Sequence, residues 1–185
     1  MPSRGVKFLQ EKFPRLNYGD FFHWSNRNQF DLQKAIEIEQ ITKLRYSFFR
    51  KFREIAAKLS TDWDHVDLFF VRKTSQKEFH GAVFADKKGT KLNEFGQKQR
   101  DFTKRLIKHA SPRMVLVANA AASRQFRKMF RLRWDDEHGH HYASIAGKSV
   151  PVFLSSMLTQ QRALDVFSYE RLLWQMRKAW VGLHR

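Results

Sequence analysis

The sequence predicts an α/β protein, a three-layer α/β/α sandwich, and three observations carry that prediction. Three short apolar runs, His65–Val71, Arg113–Asn119 and Val150–Leu154, have the β-branched and aromatic character of strands covered on both faces. The stretches between and after them carry apolar residues at spacings of three and four, the mark of amphipathic helices. The resulting order is strand, helix, strand, helix, strand, loop, helix, which layers helices on a sheet. With 185 residues the chain suits a single domain, 1–185, with 1–30 as an aromatic-rich N-terminal segment.

In the first thirty residues, Val6, Phe8 and Phe13 suit a short strand or edge segment. Asn17-Tyr18-Gly19-Asp20 has turn chemistry. Phe21, Phe22, Trp24 and Phe30 surround polar Ser25, Asn26 and Asn28. They form either a packed lid over the core or the wall of a base-sized pocket, since every base can stack. Asp31 then caps a long helix to about Leu59, with Ile41, Leu44, Phe48, Phe52, Ile55 and Leu59 as its buried stripe. Lys43, Arg50, Lys51, Arg53 and Lys58 fall largely off the stripe, as a solvated face or an extension of a phosphate track.

The strand His65–Val71 runs into a polar basic loop, Arg72-Lys73-Thr74-Ser75-Gln76. Residues 80–90, with two glycines and Lys87-Lys88, read as a loop. Leu92, Phe95, Phe102, Leu106 and Ile107 mark a helix ending near His109, stopped by Pro112. After the strand Arg113–Asn119, Ala120–Ala122 open a helix that continues through Phe126, Met129 and Phe130. Trp134–His141 is a polar break, and Tyr142–Ile145 with Ser149–Leu154 can pair as a hairpin around Gly147. A polar loop follows, from Ser155 towards Asp165. Ser168 serves as N-cap of the last helix, with Glu170 in its first turn and Tyr169, Leu172, Leu173, Met176, Ala179 and Trp180 as its apolar stripe.

Composition narrows the function. Lys and Arg number 35 against 18 Asp and Glu, a formal net charge of +17. A folded domain this basic points to a polyanion, nucleic acid first, ahead of an anionic membrane surface or an acidic protein. At 42% hydrophobic it is not a disordered basic tail, and its 18 Phe point to a Phe-packed core. There is no cysteine, which excludes disulfides, Cys-based zinc sites and thiol nucleophiles. The N-terminus lacks the apolar core of a secretory signal, and no run is long enough for a membrane helix. The expectation is an intracellular protein, cytoplasmic and nucleoid-associated if DNA is the partner.

His138-x-His140-His141, behind Asp135-Asp136-Glu137, has metal-ligating residue types, but the spacing matches no strong zinc motif and no metal is expected. Ala146-Gly147-Lys148-Ser149 shares its end with a P-loop but lacks the preceding glycine and following helix. No nucleophile elbow is present. The loops at the strand ends are more informative. Arg72, Lys73, Thr74 and Gln76 follow one strand; Ser155, Ser156, Thr159, Gln160, Gln161 and Arg162 follow another. Hydroxyls, amides and guanidinium groups are typical partners of phosphate and sugar. Met157 and Leu158 sit among them. They either tuck into the core or act as a wedge between stacked bases.

Three stretches carry a family resemblance: HVDLFFVRKTSQ at 65–76, VLVANAAASRQF at 115–126 and VPVFLSSMLTQQRALD at 150–165 with the helix behind it. In pattern and order they resemble the uracil-DNA glycosylase superfamily over roughly residues 60–180. The resemblance implies an α/β/α sandwich with a small, mostly parallel sheet. It also implies DNA bound at the strand ends, a flipped nucleotide and hydrolysis of its glycosidic bond without a cofactor. Where the family carries a His-Pro-Ser type motif and an inserting side chain, this chain has Ser155-Ser156-Met157. Met157 or Leu158 would insert, and Arg162 would hold a phosphate. The family's early Gly-x-Asp/Asn-Pro loop has no counterpart, which leaves Asp20 as the early acid for activating water. The expected function is DNA binding with excision of uracil or a modified or mismatched base. A non-catalytic module recognising DNA or a modified base for a protein partner is the alternative, and an RNA-associated basic protein the second.

Overall fold

Helix caps and packed aromatic groups set the boundaries of the N-terminal elements. The structure is a computed structural model that describes residues 7–21, 31–71, 76–159 and 163–183, and the chain divides into two compact units, residues 1–58 and 59–185. In the first unit, α1 (Lys7–Lys12), α2 (Tyr18–Phe21) and α3 (Leu32–Arg45) precede a 3-10 turn (Ser47–Phe49) and α4 (Arg50–Leu59). The segment around Phe8 is thus helix, not strand. Its polar edge ties α1 to α3 through Lys12–Glu37 and Arg45–Glu11 ion pairs, and the Arg45 guanidinium lies 5.7 Å from the Phe8 ring.

Asp31 caps α3 as expected, accepting a hydrogen bond from the Lys34 N–H. The helix does not run on to Leu59, however. It breaks at Tyr46, whose φ of −71° and ψ of 127° are extended. Tyr46, Phe48, Phe49 and Phe52 pack ring on ring across the break. Arg53 donates to the carbonyl oxygens of Lys43 and Tyr46, satisfying groups the ended helix leaves open. Arg53 is therefore committed to the fold rather than to a phosphate track.

The second unit is mixed α/β. Its strands are β1 (Val115–Ala118), β2 (Leu132–Asp135), β3 (His140–Ile145) and β4 (Lys148–Ser155); its helices are α5 (Gln76–Val83), α6 (Glu94–Ala110), α7 (Ala120–Met129) and α8 (Val166–Gly182). The strands form one sheet in the order β1-β4-β3-β2. β1 pairs with β4 in parallel, while β2–β3 and β3–β4 are antiparallel. The sheet is therefore mixed, where a mostly parallel one was expected.

Two sequence expectations account for that difference. His65–Val71 forms no strand. Its backbone bonds to side chains of α6 instead: the Thr103 hydroxyl donates to the Leu68 carbonyl at 2.9 Å, and the Phe70 N–H donates to Gln99 Oε1 at 3.1 Å. Leu68 and Phe69 are apolar because they plug the packing of neighbouring helices, Phe69 alongside Val83, Phe84 and Leu92. Conversely, the polar break at Trp134–His141 contains a hairpin, with Trp134 opposite His141 and Gly139 turning at a φ of 66°. Arg133 and Trp134 are exposed there, so the strand carries no apolar alternation to read.

The remaining elements follow their local chemistry. Residues 80–90 are in part the end of α5, and only the remainder is loop, held by Asp86. Its carboxylate accepts from the Thr90 and Lys91 N–H groups and the Thr90 hydroxyl, which, the hydroxyl first, hold its pKa down to about 2. Asn93 caps α6, which ends at Ser111 in left-handed conformation just before Pro112. Asp165, not Ser168, caps α8; Ser168 stands three residues on, and its N–H and hydroxyl both donate to Asp165. The predicted stripe of α8 is buried from Tyr169 to Ala179.

Candidate nucleic-acid interface

β4 is the strand on which the second unit is built, since it pairs on both sides and Val152 is fully buried. Val150 and Val152 pack with Ala143 and Ile145 of β3, with Phe126 and Met129 of α7 and with Phe130 just after it. Side chains alternate along a strand, so Pro151 and Phe153, also buried, belong to the other face. α8 packs against β4 as well, and its buried residues lie outside that cluster. Its Gln175 donates to the Gly139 carbonyl beside His140, whose ring stacks 4.9 Å from Phe153. Of the helices that follow the parallel strands β1 and β4, α7 packs in the cluster with Val150 and Val152, while α8 contacts β4 through residues outside it.

The carboxyl ends of this parallel pair are the place where open α/β sheets bind ligands. Ala118 pairs with Ser155, so the residues after each strand start side by side. On one side stand Asn119 and the first turn of α7; on the other stand Ser155, Ser156, Met157, Leu158 and Thr159. The Ser155 hydroxyl donates to the Ser156 carbonyl at 2.9 Å. Met157 is bridged to Ala163, and the Leu164 N–H donates to the Met157 carbonyl at 2.9 Å. Ser155, Ser156, Met157 and Thr159 are half-buried. Leu158 is 5% exposed. It is core, and of the two candidate wedges Met157 is the one within reach of solvent.

Other predicted site residues are placed less fully. Arg72, Lys73, Thr74, Gln160, Gln161 and Arg162 lie outside the described residues, as do Phe22, Trp24 and Phe30. Gln76 is the first residue of α5. Asp20 belongs to the first unit; it is exposed, and its carboxylate accepts from the Asn17 side-chain amide at 2.6 Å. The structure thus brings the Ser155–Thr159 group together with Asn119, a residue not singled out in the sequence.

Asn119 caps α7, its Oδ1 accepting from the Ala121 and Ala122 N–H groups. This cap is neutral, so the positive end of the α7 dipole keeps its field; at α8 the cap is the Asp165 carboxylate, held below its usual range by the Ser168 hydroxyl. α7 carries Arg124, Arg127 and Lys128 and no acid. One turn in from Asn119, the Ser123 hydroxyl oxygen is buried with no hydrogen-bond partner among the described residues. A second feature not singled out in the sequence is the edge-to-face pair Phe70–Phe102, 5.5 Å apart and each about half exposed, with Phe70 two positions before Arg72 in the sequence.

The histidines do not make a metal centre. His138 bonds to Asp135, whose pKa is lowered chiefly by the His138 backbone N–H. His140 is buried, and His141 stands 3.3 Å from Arg127. No group of three or more ligating side chains could hold a metal among the described residues. Ala146 and Gly147 are the tight turn of the β3–β4 hairpin, both at positive φ, and not a phosphate loop. No helix among the described residues is long and apolar enough to cross a membrane. Compared with known proteins, the chain matches no family model, no curated sequence and no solved structure.

Proposed function

We propose that this chain binds nucleic acid, and DNA in particular, at the carboxyl ends of β1 and β4. The observation that carries this reading is the parallel β1–β4 pair, which starts the residues after both strands side by side. The charge of +17 supports a polyanionic ligand, and the Ser155, Ser156 and Thr159 hydroxyls are partners for phosphate and sugar. Met157 is the side chain to enter the base stack, and Arg72, Lys73, Thr74, Gln76, Gln161 and Arg162 extend the phosphate contacts. The resemblance to uracil-DNA glycosylases adds the finer expectations: helices on both sides of the sheet, a nucleotide drawn out of the stack, and hydrolysis of its glycosidic bond.

A second reading keeps the binding and omits the reaction. It is favoured by the surroundings of Asp20, whose exposed carboxylate is held by its own neighbour Asn17. One set of measurements separates the readings. A labelled duplex with a single uracil or modified cytosine is titrated with the wild type, with Ser156→Glu and with Ser149→Glu. The last two place the same charge at opposite ends of β4. Ser156→Glu is expected to lose tenfold or more in affinity and Ser149→Glu to bind as wild type. Equal losses would refute the carboxyl ends of β1 and β4 as the binding place. Alkali-labile abasic sites that appear with wild type and vanish with Asp20→Asn establish hydrolysis; tight binding with no abasic site establishes the recognition module. Single-stranded RNA displacing the duplex at equal concentration would favour RNA as the ligand.

A further inference from the structure

The outward side of α8 carries a pattern that packing against β4 does not use. Phe167, Trp174 and Val181 are spaced seven apart and stand 79%, 57% and 53% exposed, large values for apolar side chains. Arg171 and Lys178, also seven apart, alternate with them. At 3.6 residues per turn, all five project within an arc of about 80°, opposite the buried stripe of Leu172, Met176 and Ala179. The Lys178 ammonium lies 4.5 Å from the Trp174 ring centroid, which holds the cation against the apolar row. Arg177 flanks the row on one edge with Glu170 beside it.

We propose that this face docks an acidic amphipathic helix of a partner protein. The seven-residue repeat selects a helix: at 1.5 Å per residue the knobs recur every ~10.5 Å, the seam interval of paired helices. A nucleic-acid strand repeats at a much shorter interval. The charges select the sign. Arg171, Arg177 and Lys178 against Glu170 alone give flanks that attract Glu and Asp at the matching positions of the partner. A second copy of the chain would set these cations against their like, so the face is not built for self-association. The inference is independent of the carboxyl ends of β1 and β4 and of nucleic-acid binding.

The test uses the full chain and a synthetic helical peptide with Leu at the heptad seam and Glu flanking it. A second peptide of the same composition, scrambled to remove the heptad, serves as control. Calorimetry with wild type, Trp174→Ala and Arg171→Glu reads the affinities; circular dichroism confirms that these exposed-site variants stay folded. The heptad peptide is expected to bind at least tenfold tighter than the scrambled one, and each substitution to remove at least tenfold. Equal binding of the two peptides, or no loss in Trp174→Ala, overturns the proposal. Sedimentation of the protein alone closes the remaining route: a dimer that Trp174→Ala dissociates assigns the face to a second copy and likewise overturns it.

Discussion

Two residues carry chemistry that can be isolated by substitution. Asn119 satisfies two N–H groups at the start of α7, which would otherwise lack an intrahelical partner. Asn119→Ala is expected to cost about 1 kcal/mol in urea unfolding, and Asn119→Ser to retain most of that stability. His140 is 3% exposed, and burial first of all lowers its pKa from the ordinary 6.5. Its Nε2 has no hydrogen-bond partner among the described residues. The unfolded chain therefore takes up this proton before the folded one does. The stability it contributes is present above the ordinary value and is lost as pH falls below it. His140→Phe removes that linkage, so its urea midpoint should gain on wild type as pH drops from about 7.5 to about 5. A difference that stays constant across the range would contradict the burial argument. Single residues of this kind were legible only in part. Asp31 is legible as a cap from its position, whereas Ser168 has the residue type of one but Asp165, three residues earlier, does the job.

At the scale of elements, close packing overrides local preference at Gly96. It lies in the first turn of α6, where glycine is ordinarily a poor choice. A Cβ there would collide with the backbone carbonyl of Val83 at the end of α5. Gly96→Ala is thus expected to destabilise by about 1–3 kcal/mol, as overpacked sites do, rather than to stabilise the helix. A midpoint above that of wild type in thermal unfolding would refute this contact. Elements with a strong period of their own were readable: β4 by its unbroken apolar run, α8 by Tyr169, Leu172, Leu173, Met176 and Ala179. Those set by distant contacts were not. Packing of Phe69, and in part of Leu68, against residues distant in sequence produces the same letters as a buried strand, and at the α3–α4 break Arg53 reaches back to Lys43 and Tyr46. The candidate site divides likewise. The loop Ser155–Thr159 was visible as polar residues ending a strand. Its neighbour Asn119 was not, because the pairing of β1 with β4 joins residues distant in sequence.

For the whole molecule, 35 basic against 18 acidic residues set the long-range behaviour. Phosphate contacts release counterions, so for about six of them log K should fall with log salt at a slope near −5. Such a slope reports charge and says nothing of place, and place is the central claim. Hydrogen exchange read by mass spectrometry, with and without a uracil-containing duplex at low salt, locates the contact directly. Added protection is expected at Asn119–Ser123 and Ser155–Thr159, with the hairpin turn at Ala146–Lys148, at the far end of β4, unchanged. Protection at that turn with none at Ser155–Thr159 would contradict that claim.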